Sequence, residues 1–198
     1  MLLRVGSRGS RLALIQAELA ASRLRRDGVE IALVPITTAG DRDRSRPFGE
    51  IGSRGVFVKE IEEALLAGRI DVAVHSAKDM TSTDAEGLSV GAYVVREDPR
   101  DALCGVSELR PGMRIGTASV RRRAELLALE PGLSVEPLRG NVETRLRKRR
   151  ERGLDAVVLA ACGLDRLGLG DEIGRRLEPY ADGEGYRLPG MCLNVLAV

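Results

Sequence analysis

The sequence predicts an α/β protein of two lobes, each a mixed sheet covered by helices, with a cleft between the lobes. Strand-like and helix-like segments alternate along 198 residues, a length that suits two lobes of about 100 residues each. The alternation runs in two series that meet near residues 94–100. Repeated strand–helix units form parallel or mixed sheets with helices on their faces, which gives the predicted class.

The first series predicts three strands and two helices. Apolar, β-rich runs place strands at residues 2–7, 29–36 and 70–76. Ser10 can cap a helix that runs to about Arg26, and residues 56–68 form an amphipathic helix that ends at a glycine. Residues 37–55 are polar, carry several glycines and have no periodicity, which is typical of a long loop.

The second series continues the same alternation. Its strand-like runs lie at residues 88–95, 102–106, 113–119, 133–138 and 155–161, and its helices at 119–130 and 141–153. In open α/β sheets the ligand binds outside the carboxyl ends of the strands. Polar residues at those ends are therefore the candidates for a functional site.

Composition and charge exclude several classes of function. The chain has 31 basic and 29 acidic residues, and 28 of the basic residues are arginines. This balance, together with the lack of tryptophan and only five other aromatic rings, argues against nucleic-acid binding. Neither a membrane-spanning run nor a signal-peptide pattern is present in this sequence, so we expect a cytoplasmic protein with no membrane partner.

Metal and triad chemistry also lack their usual residues. Cys104, Cys162 and Cys192 are widely spaced, and His75 is the single histidine. These spacings exclude the common zinc sites and any Ser-His-Asp triad that does not use His75. We therefore expect no metal.

Two polar clusters belong to the first series. Residues 6–11 (GSRGSR) form a strand-to-helix turn whose N–H groups and Arg8 can hold an anion, although Ser10 alone can simply cap the helix. Residues 75–79 (HSAKD) follow a buried strand, and Asp79 there can exchange a proton or stabilise a developing cation. The alternative at this turn is an ion pair between Lys78 and Asp79.

Three more clusters belong to the second series. Thr117 and Ser119 are plausible helix caps, but the arginines at 121–123 crowd the first helical turn and oppose the helix dipole, a conflict that an anionic ligand would relieve. Arg139 and Arg145 flank the start of the next helix, and Arg166 is weaker evidence by itself. Together these residues predict an arginine-lined cleft, with one acid, for a small substrate that carries several carboxylates.

Six motifs, in this order, resemble the porphobilinogen deaminase family. The strings are RVGSRGSRLALIQA, FVKEIEEALLAGRIDVAVHSAKDM, REDPRDAL, IGTASVRRRAEL, LRGNVETRLRK and AACGLDRLGL, from about residue 4 to 169. The resemblance implies condensation of four porphobilinogens, with loss of ammonia, to hydroxymethylbilane, as part of tetrapyrrole (porphyrin and heme) biosynthesis. It also implies two lobes like those of type-2 periplasmic binding proteins: residues 1–94 plus about 188–198, and residues 95–187.

The resemblance assigns a role to each candidate residue. The implied catalytic residues are Asp79, which is the acid, and its neighbour Lys78, and residues 42–56 are the implied lid. The residues implied to bind substrate or cofactor carboxylates are Arg8, Ser10, Thr117, Ser119, Arg121, Arg122, Arg139, Arg145 and Arg166.

The family also implies a dipyrromethane cofactor, linked as a thioether to a cysteine of a third domain. This sequence ends at Val198, before any such domain, so we expect no covalent cofactor at the family position. Cys162 is the best substitute, because it follows a strand and precedes Arg166, although we expect a buried, unmodified thiol there.

Three functions stay open from the sequence. The first is an enzyme of this family acting on pyrrole carboxylates, and the second is a two-lobed binding protein for a small polycarboxylate without chemistry. The third is a degenerate copy that joins a partner subunit supplying the missing domain. Asp79 favours the enzyme, because a protein that only binds anions needs no carboxylate in its cleft.

Overall fold

The structure is a computed structural model that describes residues 1–42, 57–80 and 85–177 and the backbone of 194–197. The chain divides into two compact units, Met1–Glu97 with Gly190–Val198, and Asp98–Pro189. Each unit has one five-stranded mixed sheet within the described residues. The predicted α/β class with mixed sheets is confirmed.

The first unit is built on a sheet with the strand order β2-β1-β3-β10-β4. Its strands are β1 (Leu2–Arg8), β2 (Glu30–Ile36), β3 (Val72–Ser76), β4 (Val90–Tyr93) and β10 (Asn194–Ala197). Its helices are α1 (Arg11–Leu24), α2 (Ala39–Arg42) and α3 (Lys59–Leu66), and a 3₁₀ turn covers Ala77–Asp79. Strand β1 is parallel to β2 and β3, whereas β10 is antiparallel to both of its neighbours.

Small side chains bring helices close to this sheet. Ala17 and Ala20 of α1 pack on Val5 and Val74 in one buried cluster. A Cβ atom on Gly6 would lie 2.3 Å from Ile70 Cδ1, so only glycine leaves room for Ile70 against β1. These contacts pack α1 and Ile70 against the strands that lead to Arg8 and Asp79.

The second unit is built on a sheet with the order β7-β6-β8-β5-β9. Its strands are β5 (Asp101–Cys104), β6 (Arg114–Gly116), β7 (Ser134–Glu136), β8 (Ala156–Ala160) and β9 (Ile173–Leu177). Its helices are α4 (Val120–Leu129), α5 (Val142–Glu151) and α6 (Ala161–Leu167), followed by a 3₁₀ turn at Gly170–Glu172. Strand β6 is parallel to β7 and β8, and β5 runs antiparallel to β8.

This topology places the start of β5 beside the end of β8, with Asp101 opposite Ala160. Aliphatic side chains cover both faces of the sheet: Leu103, Ile115 and Leu126 share one buried cluster, and Leu138 and Leu159 share another. Full burial of each such side chain contributes about 1.5–3 kcal/mol.

The structure departs from the sequence prediction at four places. Residues 39–42 form the short helix α2 inside the segment predicted as a loop, and α3 begins at Lys59 rather than at residue 56. Helix α6 and strand β9 were not predicted. The segment GLDRLG, with a glycine at each end, is poor in local helix signals, yet Leu164 and Leu167 are buried at 0% and 4% exposure and hold α6 by tertiary packing.

The implied lid, residues 42–56, lies outside the described residues except for Arg42. No helix among the described residues is long and apolar enough to cross a membrane.

Candidate functional site

Arg8 and Asp79 meet at one edge of the sheet of the first unit. Arg8 is the last residue of β1, and Asp79 lies in the 3₁₀ turn after β3. Because β1 and β3 are parallel, their carboxyl ends lie at the same edge. Arg8 Nη1 is 3.9 Å from Asp79 Oδ2, and the side chains are 24% and 25% exposed. A ligand at this edge can therefore reach both charges.

Asp41 fixes the orientation of the Arg8 guanidinium. Arg8 Nε donates to both oxygens of Asp41, at 3.2 and 3.3 Å, and Nη2 also donates to Oδ1. Thr38 Oγ1 donates to Asp41 Oδ2 at 2.8 Å. The guanidinium lies over the ring of Phe57, with Cζ 3.9 Å from the centroid, a cation–π contact. Arg8 is thus held in one pose, with one edge toward Asp79.

Two pKa shifts follow from this packing. Burial raises the pKa of Asp41, but the hydrogen bonds and charge of Arg8 outweigh burial, so the net pKa is below its ordinary value. Burial, and then the charge of Arg8, lowers the pKa of His75 to about 4. His75 is 5% exposed, and its Nε2 has no hydrogen-bond partner among the described residues. The imidazole of the HSAKD motif is therefore a neutral core group near pH 7.

Ser10 and Lys78 complete the predicted residues of the first unit. Ser10 Oγ accepts a hydrogen bond from the Ala13 N–H at 3.3 Å and caps α1, so the capping interpretation holds for it. Lys78 is exposed in the 3₁₀ turn, and Asp79 pairs with Arg8.

Asp101 binds two of the predicted arginines of the second unit. Arg122 Nε and Nη2 donate to Asp101 Oδ2 and Oδ1 at 3.0 and 2.6 Å, and Arg122 Nη1 donates to the Val158 carbonyl at 3.3 Å. Arg121 Nη2 donates to Asp101 Oδ2 at 2.9 Å. Arg121 Nη1 donates to both oxygens of Glu125, at 2.8 and 2.7 Å.

These contacts correct one expectation from the sequence. An anionic ligand was expected to relieve the crowding of positive charge at the start of α4, but two carboxylates of the chain, Asp101 and Glu125, already balance Arg121 and Arg122. Burial raises the pKa of Asp101, but hydrogen bonds and charge from Arg122 and Arg121 outweigh burial, and the net pKa is below its ordinary value. Arg122 is 8% exposed, the Asp101 side chain is 13% exposed, and the Arg121 side chain is 36% exposed.

Thr117 and Ser119 hold the backbone before α4. Thr117 Oγ1 accepts from the Ser119 N–H at 3.2 Å, and Ser119 Oγ accepts from the Arg122 N–H at 3.4 Å. Ser119 therefore caps α4, and Thr117 Oγ1 fixes the backbone that leads into this cap.

Gly140 shapes the turn between β7 and α5. Its φ of +132° is reached at low cost by glycine, and a Cβ there would lie 2.7 Å from Thr144 Cγ2. Arg145 Nε donates to the Gly140 carbonyl at 2.6 Å, and Lys148 Nζ donates to the Arg139 carbonyl at 3.1 Å. The turn therefore places Arg139 and Arg145, both half-buried, just beyond the end of β7.

The predicted residues divide between the two units. The first unit contains Asp79, Lys78, Arg8 and Ser10. The second unit contains Thr117, Ser119 and the other predicted arginines, of which Arg166 is half-buried in α6. Convergence of all the arginines on one cleft stays a prediction.

Sequence reasoning missed Asp41, Asp101 and Glu125. Asp101 lies inside the quoted string REDPRDAL, and Glu125 follows Arg121 at the helical i,i+4 spacing, so both signals were present.

The described cysteines do not suit a covalent tether. Cys104 and Cys162 are 0% and 1% exposed, and burial raises the pKa of Cys104 to about 12. Cys162 lies inside α6, rather than at an accessible strand end. Cys192 falls outside the described residues. Among the described side chains, no group of three or more His, Cys, Asp or Glu is placed to hold a metal ion.

Solved structures of periplasmic binding proteins resemble this fold. The second substrate binding domain of an amino acid ABC transporter from Streptococcus pneumoniae matches all of this chain and 84% of its own, with a TM-score of 0.58 at 14% identity. The periplasmic sulfonate-binding protein SsuA from Methylobacillus flagellatus KT matches all of this chain and 61% of its own, with a TM-score of 0.53 at 13% identity. At such identities the likeness concerns the fold alone.

Sequence comparison is more specific. Residues 3–189 match the family described as "Porphobilinogen deaminase, dipyromethane cofactor binding domain". The porphobilinogen deaminase of Trichlorobacter lovleyi is 50% identical over 182 residues, covering 89% of this chain and 58% of that protein. That of Pelobacter propionicus is 49% identical over 202 residues, covering 99% of this chain and 64% of that protein. The chain therefore spans about three fifths of these curated relatives, and it belongs to the porphobilinogen deaminase family.

Proposed function

We propose that this chain condenses porphobilinogen units head to tail, with release of ammonia, toward linear hydroxymethylbilane. The observation that carries the proposal is the pair of Arg8 and Asp79 at the carboxyl ends of two parallel strands. Family membership supplies the substrate, and the pair supplies a carboxylate at the edge where α/β sheets bind ligands.

Asp79 has a clear role in this chemistry. When the aminomethyl C–N bond of porphobilinogen breaks, its electron pair leaves with the nitrogen as ammonia, and positive charge develops on the pyrrole. A fixed carboxylate stabilises that charge more in the transition state than in the ground state. A ring carbon of the next porphobilinogen then forms the new bond and loses its proton, and we assign Asp79 to accept that proton.

Arg8 keeps this carboxylate in place. Arg8 is anchored by Asp41 and by the ring of Phe57, so its remaining edge is preorganised beside Asp79. We assign Lys78, exposed on the same turn, to attraction of the anionic substrate.

Binding of the substrate carboxylates is assigned to polar groups in both units. Each porphobilinogen carries two carboxylates, and planar guanidinium groups bind carboxylates through two parallel hydrogen bonds. The residues assigned to contact these carboxylates are Arg8, Ser10, Thr117, Ser119, Arg121, Arg139, Arg145 and Arg166. Arg122 acts by holding Asp101, because it is buried and bound at both edges.

A dipyrromethane cofactor fits this chain in one respect and not in another. Its carboxylates suit the same arginines. Its thioether does not suit Cys104 or Cys162, which are buried. We therefore propose that these two thiols carry no cofactor.

The proposal is tested by incubating the full chain with porphobilinogen and measuring ammonia and remaining porphobilinogen together. Release of about one ammonia per porphobilinogen consumed supports the proposal, with heat-denatured chain as the control. Binding of porphobilinogen without ammonia release would instead favour the non-catalytic binding protein. If the chain neither binds porphobilinogen nor releases ammonia, that result would contradict both functions.

A further inference from the structure

Four charged side chains at the start of α4 cancel one another. Arg121 and Arg122 are balanced by Asp101 and Glu125, each within hydrogen-bond distance. A carboxylate ligand therefore does not meet an unbalanced charge at Arg121 or Arg122. To reach an arginine fork, it must replace one of the chain's own carboxylates.

Asp101 is poorly suited to be replaced. Its side chain is 13% exposed and it accepts hydrogen bonds from both arginines, including a two-point contact with buried Arg122. Removal of a partner from such a buried pair leaves an uncompensated buried charge. Asp101 is therefore expected to stay in place when a ligand binds.

Glu125 is well suited to be replaced. It lies one helical turn after Arg121, and both of its oxygens accept from the single nitrogen Nη1, at 2.8 and 2.7 Å. The two side chains are 27% and 36% exposed. Partly exposed i,i+4 pairs contribute little free energy, so Glu125 can rotate into water at small cost.

We infer that Glu125 sets the affinity of this site for its ligand: it occupies Arg121 in the ligand-free chain and gives way to a substrate carboxylate. Nη2 of Arg121 stays on Asp101 during the exchange, and only Nη1 changes partner. Glu125 thus lowers the affinity for any carboxylate that binds Arg121, and a ligand must compete with it. The inference rests on the proposed function, because it takes the ligand to be porphobilinogen.

Titration calorimetry of the full chain with porphobilinogen tests the exchange. Glu125→Gln removes the competing charge and keeps the side-chain shape, so the Kd is expected to fall about two- to fivefold, the factor that corresponds to a partly exposed ion pair. Glu151→Gln is the matched control. Glu151 also forms an i,i+4 pair with an arginine, Arg147, at 2.6 Å on an exposed helix face, and its replacement should leave the Kd unchanged.

A double-mutant cycle shows whether Glu125 acts through Arg121. In an Arg121→Gln background, Glu125→Gln should no longer change the Kd. An effect of equal size in that background would overturn the inference, because it would show a general charge effect.

The remaining outcomes separate this inference from the proposed function. Equal or weaker binding by Glu125→Gln overturns the inference and leaves the proposed function standing. Tighter binding by Glu125→Gln, without ammonia release by any variant, supports the exchange and contradicts the enzyme. Absence of binding in both wild type and Glu125→Gln overturns both.

Discussion

Arg122 and Asp101 form a buried two-point ion pair between the first turn of α4 and the start of β5. The pair joins Arg122 Nε and Nη2 to the two carboxylate oxygens of Asp101, at 3.0 and 2.6 Å. Two residues that are 21 positions apart in sequence thus hold β5 and α4 together at the edge of the sheet where the parallel strands end. Asp101 therefore orients Arg121 and Arg122 without any bound ligand.

Asp101→Asn is expected to destabilise the chain. The amide cannot balance Arg122, so a buried charge loses its partner, and we expect a loss of about 2–4 kcal/mol in the free energy of unfolding. Thermal denaturation followed by circular dichroism measures the change. Glu108→Gln is the control, because it breaks the exposed 3.2 Å pair with Arg110 and should leave the midpoint unchanged. Equal midpoints for the two variants would contradict a structural role for Asp101.

His75 is expected to make the stability depend on pH between about 6.5 and 4. Its pKa is about 4 in the folded chain and 6.5 as an ordinary imidazole, so the unfolded chain binds the proton first as the pH falls. The stability contributed by neutral His75 is therefore complete above pH 6.5 and falls by about 3 kcal/mol as the pH drops toward 4.

Because His75 is the single histidine, its titration can be followed by NMR without assignment. Denaturant unfolding at several pH values gives the stability, and His75→Gln should remove the slope above pH 4.5. A folded-state imidazole that titrates near 6.5 would contradict the burial seen here. Asp41 and Asp101 also have lowered pKa values in the folded chain. The stability that they contribute is therefore lost only at lower pH, as the pH falls below the ordinary aspartate pKa of 3.8.

Arg8→Lys is expected to impair catalysis although it keeps the charge. Lysine cannot contact Asp41 through two nitrogens and face Asp79 at the same time, so we expect ammonia release from porphobilinogen to slow by at least about tenfold. Arg23→Lys, on the exposed end of α1, is the control and should behave like wild type. Near-normal rates for Arg8→Lys would mean that charge alone suffices at this position.

The thiols of Cys104 and Cys162 are expected to be inert in the folded chain. In a Cys192→Ser background, an aromatic disulfide reagent should react with neither thiol until denaturant is added, because both are buried and the pKa of Cys104 is raised. Intact-mass spectrometry of the same protein should show no added pyrrole units. A mass increment of two linked pyrroles on either cysteine would overturn the assignment of these thiols as buried and unmodified.

Much of the fold is visible in the sequence because local signals and packing agree. Strands β1, β2 and β3 are β-rich runs, and Ser10, Ser119 and Asn141 cap helices where the sequence predicts helix starts. Helix α6 was missed because its local signals are weak, and tertiary burial of side chains such as Leu164 and Leu167 stabilises it. The hydrophobic periodicity of a sequence reveals a helix only when the helix is long enough to contain several repeats of the pattern.

The partners of the candidate residues were harder to predict than the residues themselves. Arg121 and Arg122 stand out at a helix start, but Asp101 reaches them only because β5 runs antiparallel beside β8. Asp41 reaches Arg8 through α2, inside a segment predicted as a loop. Such pairings depend on tertiary topology, which a single sequence does not specify.

The central claim is that Asp79, held beside Arg8, promotes the loss of ammonia from porphobilinogen. The most direct measurement is the rate of ammonia release by wild type, Asp79→Asn and Asp27→Asn at the same saturating porphobilinogen concentration. The amide keeps the shape of Asp79 but cannot stabilise positive charge, so we predict a rate lower by roughly 10²-fold or more, with unchanged circular dichroism. Asp27→Asn, on an exposed turn of the same unit, should match wild type. Ammonia release by Asp79→Asn at the wild-type rate would contradict the claim.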